Sequence, residues 1–167
     1  MATFGADFKV VVPYTEHVNQ DTGRNLVSAI KFSQEKSDLS HALTQAASYI
    51  AESRSNAAVQ DSETTMSDLL FIISDGRNLL EPALNGALAR IRSMDGVMPL
   101  VILIDHDPKN SLEDVRVASF KDNKLEMKSY LQQLPFPFYI LLREWTQLPE
   151  VVSSAVEEWI QMVSKEP

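Results

Sequence analysis

Short apolar runs alternate along this chain with segments of helical period, the pattern of an α/β protein built on a mostly parallel sheet. ATF at Ala2–Phe4 and KVVV at 9–12 read as the first strands, with Gly5 at the turn between them. Pro13 closes the second run, because proline cannot donate to a ladder. Residues 21–30 read as a short helix and 32–38 as a polar loop. From 39 to about 54, Leu39, Ala42, Leu43, Ala46 and Ile50 recur on one face and predict a longer helix. The Ser- and Thr-rich stretch 53–67 has no period and is expected to form a mobile loop.

LLFII at 69–73 is apolar on both faces, as a central parallel strand should be, and Asp75-Gly76 ends it. A helix over about 79–93 carries Leu80, Leu84, Leu88 and Ile91 on one stripe. PLVILI at 99–104 is the second buried strand and runs into Asp105. A short run at 115–120 precedes a helix expected at about 125–133, and FYILL at 138–142 is the last strand. The final helix, about 149–164, turns Val152, Ala155, Val156, Trp159 and Val163 inward. Pro149 sits in its first turn, where a missing N–H costs nothing. With no internal repeat and no linker, residues 1–167 read as one domain, and 167 residues can bury a sizeable core.

Composition narrows the chemistry. There is no cysteine, so disulfides and thiolate metal sites are excluded. His17, His41 and His106 are scattered without zinc-ligand spacing, so any metal here is a hard cation held by oxygens. Asp and Glu total 23 against 15 Lys and Arg, a formal net charge of −8 that argues against binding a phosphate backbone. No apolar run reaches the roughly 18 residues of a membrane span, and the first residues do not have the form of a secretory signal. A Ser-His-Asp order, a Gly-rich phosphate loop and a Walker-type lysine are all missing, so the chain is not expected to be an ATPase or another enzyme.

Ligands of open parallel sheets bind at the carboxyl ends of the strands. Two strands end there in acidic loops, Ser74-Asp75-Gly76-Arg77 and Asp105-His106-Asp107. Asp75 either contributes to a magnesium site or caps the next helix, with Gly76 supplying the turn. Asp105 and Asp107 flank a turn before Pro108 and read first as turn formers. Arg143, directly after the last strand, either orders these loops, contacts a partner or ends the strand in water. Phe136, Phe138, Tyr139, Trp145 and Trp159 cluster late in the chain and are expected in the core.

One string is more specific than any of these features. LQQLPFPFYILLREWTQLPEVVSSAVEEWIQMV resembles the closing segment of the midasin family of ribosome-assembly factors. The opening ATFGADFKVVVPY, LLFIISDGR and VRVASFKDNKLEMKSYL also match that family in order and spacing. The resemblance covers essentially the whole chain, least so around 53–67, and implies a doubly wound von Willebrand A-like domain that holds Mg²⁺ at three edge loops. It implies Asp75 and Ser37 as metal ligands. Arg77, Asp105 and Arg143, placed by the two acidic loops and the end of the last strand, are candidate partner-binding residues. The Asp-x-Ser-x-Ser loop of the family has no counterpart here. The family's strand order, 3-2-1-4-5-6, places the missing strand between the ATFGA and LLFII strands. The expectation is therefore a domain truncated at its N-terminus with an incomplete ion site. By the same resemblance the function is capture of ubiquitin-like domains of ribosome assembly factors, in the nucleus, by a protein whose AAA+ motor lies elsewhere. A generic adhesion-type domain with another protein ligand is the first alternative, and a Mg²⁺-dependent flavodoxin-like enzyme the second.

Overall fold

A computed structural model describes residues 1–5, 7–13, 16–17, 19–29, 37–58, 66–121 and 124–164. They fall into two compact units, Met1–Met66 with Ala83–Ile91, and Ser67–Pro82 with Arg92–Pro167.

The first unit opens with a hairpin. β1 (Ala2–Phe4) and β2 (Phe8–Val10) pair antiparallel, Thr3 opposite Lys9. Helix α1 (Gln20–Ala29) starts at Asn19, whose Oδ1 accepts the N–H groups of Asp21 and Thr22 at 2.9 and 3.0 Å. Helix α2 (Leu39–Ala58) starts in the same manner: Asp38 accepts from the His41 N–H at 2.8 Å and from the Ser40 hydroxyl at 3.0 Å. These bonds satisfy N–H groups that a first helical turn leaves without internal partners. They also hold the Asp38 carboxyl below the usual carboxylate range, the His41 N–H contributing most. The Asp38 N–H in turn donates to the Gly5 carbonyl at 2.9 Å, tying α2 to the β1–β2 turn. α2 buries Leu39, Ala42, Leu43, Ala47 and Ile50, with Ala47 replacing the expected Ala46 as the innermost alanine.

α2 also runs further than its periodicity indicates. Residues 53–58, expected in a loop, are helical, because no Gly or Pro interrupts the turns after Ile50. The rest of that expected loop at 59–65, and most of the one at 32–38, lie outside the described residues. α3 (Pro82–Arg92) begins three residues later than expected. Asn78 adopts a left-handed φ of 62° that a helix cannot include, and Pro82 then presets the first helical turn.

The second unit is built on a three-stranded parallel sheet in the order β3 (Asp68–Ser74), β4 (Val97–Ile104), β7 (Tyr139–Leu142). Ile73 stands opposite Ile102, and Ile102 opposite Ile140, so one face carries a continuous apolar row. Helix α4 (Leu148–Val163) covers that face, packing Val151, Val152 and the buried Ala155 against Leu100, Ile102 and Leu142. The sheet has the expected α/β character. Among the described residues, however, β3 pairs only with β4, and Ile73 is 43% exposed.

A helix expected at about 125–133 is absent. In its place β5 (Arg116–Lys121) and β6 (Lys124–Ser129) form an antiparallel ribbon, followed by a single 3-10 turn at Leu131–Gln133. Leu125 and Met127 alternate with charged residues at the strand period, and β5 supplies a partner for each. The late aromatics also divide: Phe136 is buried, whereas Phe138, Tyr139 and Trp145 are 49%, 42% and 58% exposed.

Ile102 is fully buried where β4 meets both neighbours and α4. Ile102→Ala is expected to cost about 2–5 kcal/mol, through lost transfer energy and the cavity left behind, and urea denaturation measures it.

Candidate functional site

β3 and β4 end side by side, Ser74 opposite Leu103, and the loops that follow carry Asp75 and Asp105. Their two carboxylates have different roles.

Asp75 is exposed. Its Oδ1 accepts the Arg77 N–H at 3.1 Å, and its Oδ2 lies 3.9 Å from the Arg77 Nε in a solvent-facing pair. Such an exposed pair stabilises little, so the Asp75 carboxylate is held locally yet open to a ligand. Gly76 makes this turn possible, with φ +74°. A Cβ there would meet Leu112 Cδ1 at 2.6 Å and Leu103 Cδ2 at 3.1 Å.

Behind the turn stands Tyr130, 7% exposed. Its hydroxyl donates to the Gly76 carbonyl at 2.5 Å and accepts the Leu79 N–H at 3.0 Å. One phenol thus satisfies two buried main-chain groups on either side of Arg77 and Asn78, which fixes the loop's path. Burial pushes the Tyr130 hydroxyl above the usual phenol range, opposed by the Leu79 N–H.

Asp105 is 7% exposed and serves its own loop. Oδ2 accepts the Ser111 hydroxyl at 2.7 Å and Oδ1 the Leu112 N–H at 3.1 Å. Both bonds lie within its own loop, in keeping with the turn-forming reading of its position before Pro108. Asp107 closes the preceding turn, accepting the Lys109 N–H at 3.0 Å and the Asn110 side chain at 2.6 Å. These bonds, the Asn110 amide foremost, hold its carboxyl below the usual carboxylate range, with a smaller contribution from Arg77. Arg77 therefore lies near both Asp75 and Asp107. Arg143 forms an exposed ion pair with Glu113 that links the end of β7 to the loop after β4.

Ser37 belongs to the first unit, where it is exposed and directly precedes Asp38, the cap of α2. Among the described residues no group of three His, Asp or Glu side chains is close enough together to hold a metal ion. A magnesium ion requires six oxygens in near-octahedral array. Asp105 and Asp107 already have hydrogen-bonded partners in their own loops, and Asp75 alone does not form such a set. The described residues do not by themselves fit a divalent cation.

Tyr130, Ser111 and Leu112 were not legible as site residues. Tyr130 fell within an expected helix, and the signal that would have placed it was the strand alternation of 124–129 just before it.

Comparison with known proteins agrees with this architecture. The von Willebrand factor type A domain family matches residues 1–134. Midasin of Dictyostelium discoideum is 26% identical over 95% of this chain, and Midasin of Giardia intestinalis 32% identical over 97%. The chain spans about 3% of the length of these curated relatives.

Two substitutions test the loop. Tyr130→Phe leaves the Gly76 carbonyl and the Leu79 N–H buried without a partner and should cost about 2 kcal/mol or more by urea denaturation. Because the folded Tyr130 hydroxyl titrates above its ordinary 10.0, its contribution is intact below pH 10 and is lost as pH rises through the higher folded value. The difference between wild type and Tyr130→Phe should therefore shrink above pH 10, whereas a constant difference would exclude the hydroxyl as its source. Gly76→Ala adds both the close contact with Leu112 and a left-handed φ, and should cost more than the roughly 1 kcal/mol typical of strain alone.

Proposed function

The chain belongs to the von Willebrand factor type A domain family, and from that premise we propose that it is a protein-capture module whose binding edge is the loop Ser74–Leu79. The observation that carries this reading is an exposed carboxylate on a fixed turn. Asp75 faces solvent at the carboxyl end of a parallel strand, while Tyr130 and Gly76 set the backbone beneath it. A preformed turn loses little conformational freedom when a partner docks, which favours binding. The second carboxylate of this edge, Asp105, is buried and taken up by its own loop, where it accepts the Ser111 hydroxyl and the Leu112 N–H.

The similarity to Midasin supports a narrower version. In it the captured partners are ubiquitin-like domains of ribosome assembly factors, gripped in the nucleus for removal by a motor elsewhere in a longer protein. Mg²⁺ belongs to this version only as a shared ion. Asp75 is the carboxylate that this edge offers to such an ion, and Ser37, the other ligand that the family resemblance implies, lies in the first unit.

Asp75→Ala in the intact protein should weaken binding of a recombinant ubiquitin-like domain by about tenfold or more, measured by isothermal titration calorimetry in Mg²⁺. Chelation with EDTA should reduce the wild-type affinity similarly and leave the variant nearly unchanged. Full affinity in the variant would remove Asp75 from the interface. Full affinity in EDTA would remove the ion alone and leave a direct carboxylate contact.

A further inference from the structure

Within the second unit, α4 and the start of β7 flank a groove of about 750 Å³. Met98 and Leu100 from the first half of β4 form its floor, and Phe138 and Tyr139 line its β7 side. The strands are parallel, so this is the end of the sheet away from Asp75 and Asp105. Phe138, Tyr139 and Met162, all in the lining, are 49%, 42% and 46% exposed. Large apolar side chains gathered along a concave surface mark a binding site.

The α4 side has a different character. Its lining residues run from Gln147 to Met162, a span of about 22 Å at the helical rise of 1.5 Å per residue. Glu150 and Glu158 stand on this wall, about 12 Å apart along the helix. Both are exposed, and neither has an ion-pair partner among the described residues. The described lining contains no Lys, Arg or His. Glu150 also suits the first turn of α4, whose N-terminus favours a negative charge. Glu158 lies two turns further on and has no such use there.

We propose that this groove binds an extended basic segment of another protein, its cations on Glu150 and Glu158 and its apolar side chains on Met98, Phe138 and Tyr139. The dimensions favour a strand over a helix. A volume of about 750 Å³ drawn out along about 22 Å is too narrow for a helix 10–12 Å across, yet it admits a single extended chain. Side chains alternate in such a chain, so cations can face α4 while the intervening apolar residues face the sheet. Cations at positions i and i+4 are about 13 Å apart at 3.3 Å per residue, close to the Glu150–Glu158 spacing. The carboxylates repel phosphate, which disfavours nucleic acid and anionic lipid as occupants. The site uses neither Asp75 nor Ser37, so its failure leaves the capture reading intact.

Fluorescence anisotropy of a labelled peptide, Thr-Lys-Leu-Thr-Leu-Lys-Thr, titrated with the 167-residue chain tests it. Wild type should bind, and less tightly at high salt. Glu150→Lys with Glu158→Lys should weaken binding by about tenfold or more. That variant should instead bind the peptide in which both lysines are replaced by glutamate. Glu52→Lys with Glu157→Lys makes the same change of net charge at exposed positions outside the groove, and should leave affinity within about twofold. Replacing both leucines of the peptide by serine should also cost about tenfold or more. A wild-type chain that does not bind the peptide would overturn the proposal. Equal losses in the two double variants would mean general attraction to an acidic chain and would overturn it too, as would full affinity for the serine peptide.

Discussion

The hydroxyl of Tyr130 ties the loop after β3 to the segment after the β5–β6 ribbon, and the setting of Asp75 follows from that one group. Hydrogen bonds between ladders cannot reach the Gly76 carbonyl or the Leu79 N–H, because the strand has ended and α3 has not begun. A buried main-chain group without a partner costs about 1–3 kcal/mol, so the loop's path would be poorly determined without the phenol. Gly76 makes the same path sterically possible. The left-handed turn needs a residue without a Cβ, since Leu112 and Leu103 fill the space a side chain would enter.

The two acidic loops show how neighbouring carboxylates take different roles. Asp105 lies at the buried end of β4, where its two oxygens accept from the Ser111 hydroxyl and the Leu112 N–H. A buried polar group without such partners would be costly. Asp75, one strand over, remains in water, paired with Arg77. The same residue type thus builds the edge at one position and stands open to solvent at the other.

Much of this was legible in the chain before any coordinates. LLFII and PLVILI are apolar on both faces and announced the parallel pair, and the stripe Val152, Ala155, Val156 announced α4. What failed to read failed for physical reasons. Leu125 and Met127 sit two apart, a strand spacing in a run short enough to be overlooked, so about 125–133 read as helix. Tyr130, misplaced with it, makes contacts more than fifty residues away, and no local pattern encodes such a bond. Asp75 was found as a candidate from its place after a strand. Whether it or Asp105 stayed open to solvent depended on Ser111, six residues beyond Asp105, folding back to it.

If the proposed capture role holds, Tyr130 acts on it by positioning the loop of Asp75. A double-mutant cycle measures this directly, using the affinity of the intact protein for a ubiquitin-like domain in wild type, Asp75→Ala, Tyr130→Phe and the double variant, at a temperature where all four are folded. Tyr130→Phe should weaken binding when Asp75 is present and have little further effect once Asp75 is gone. Losses that simply add, or a Tyr130→Phe protein that binds as wild type, would contradict the account.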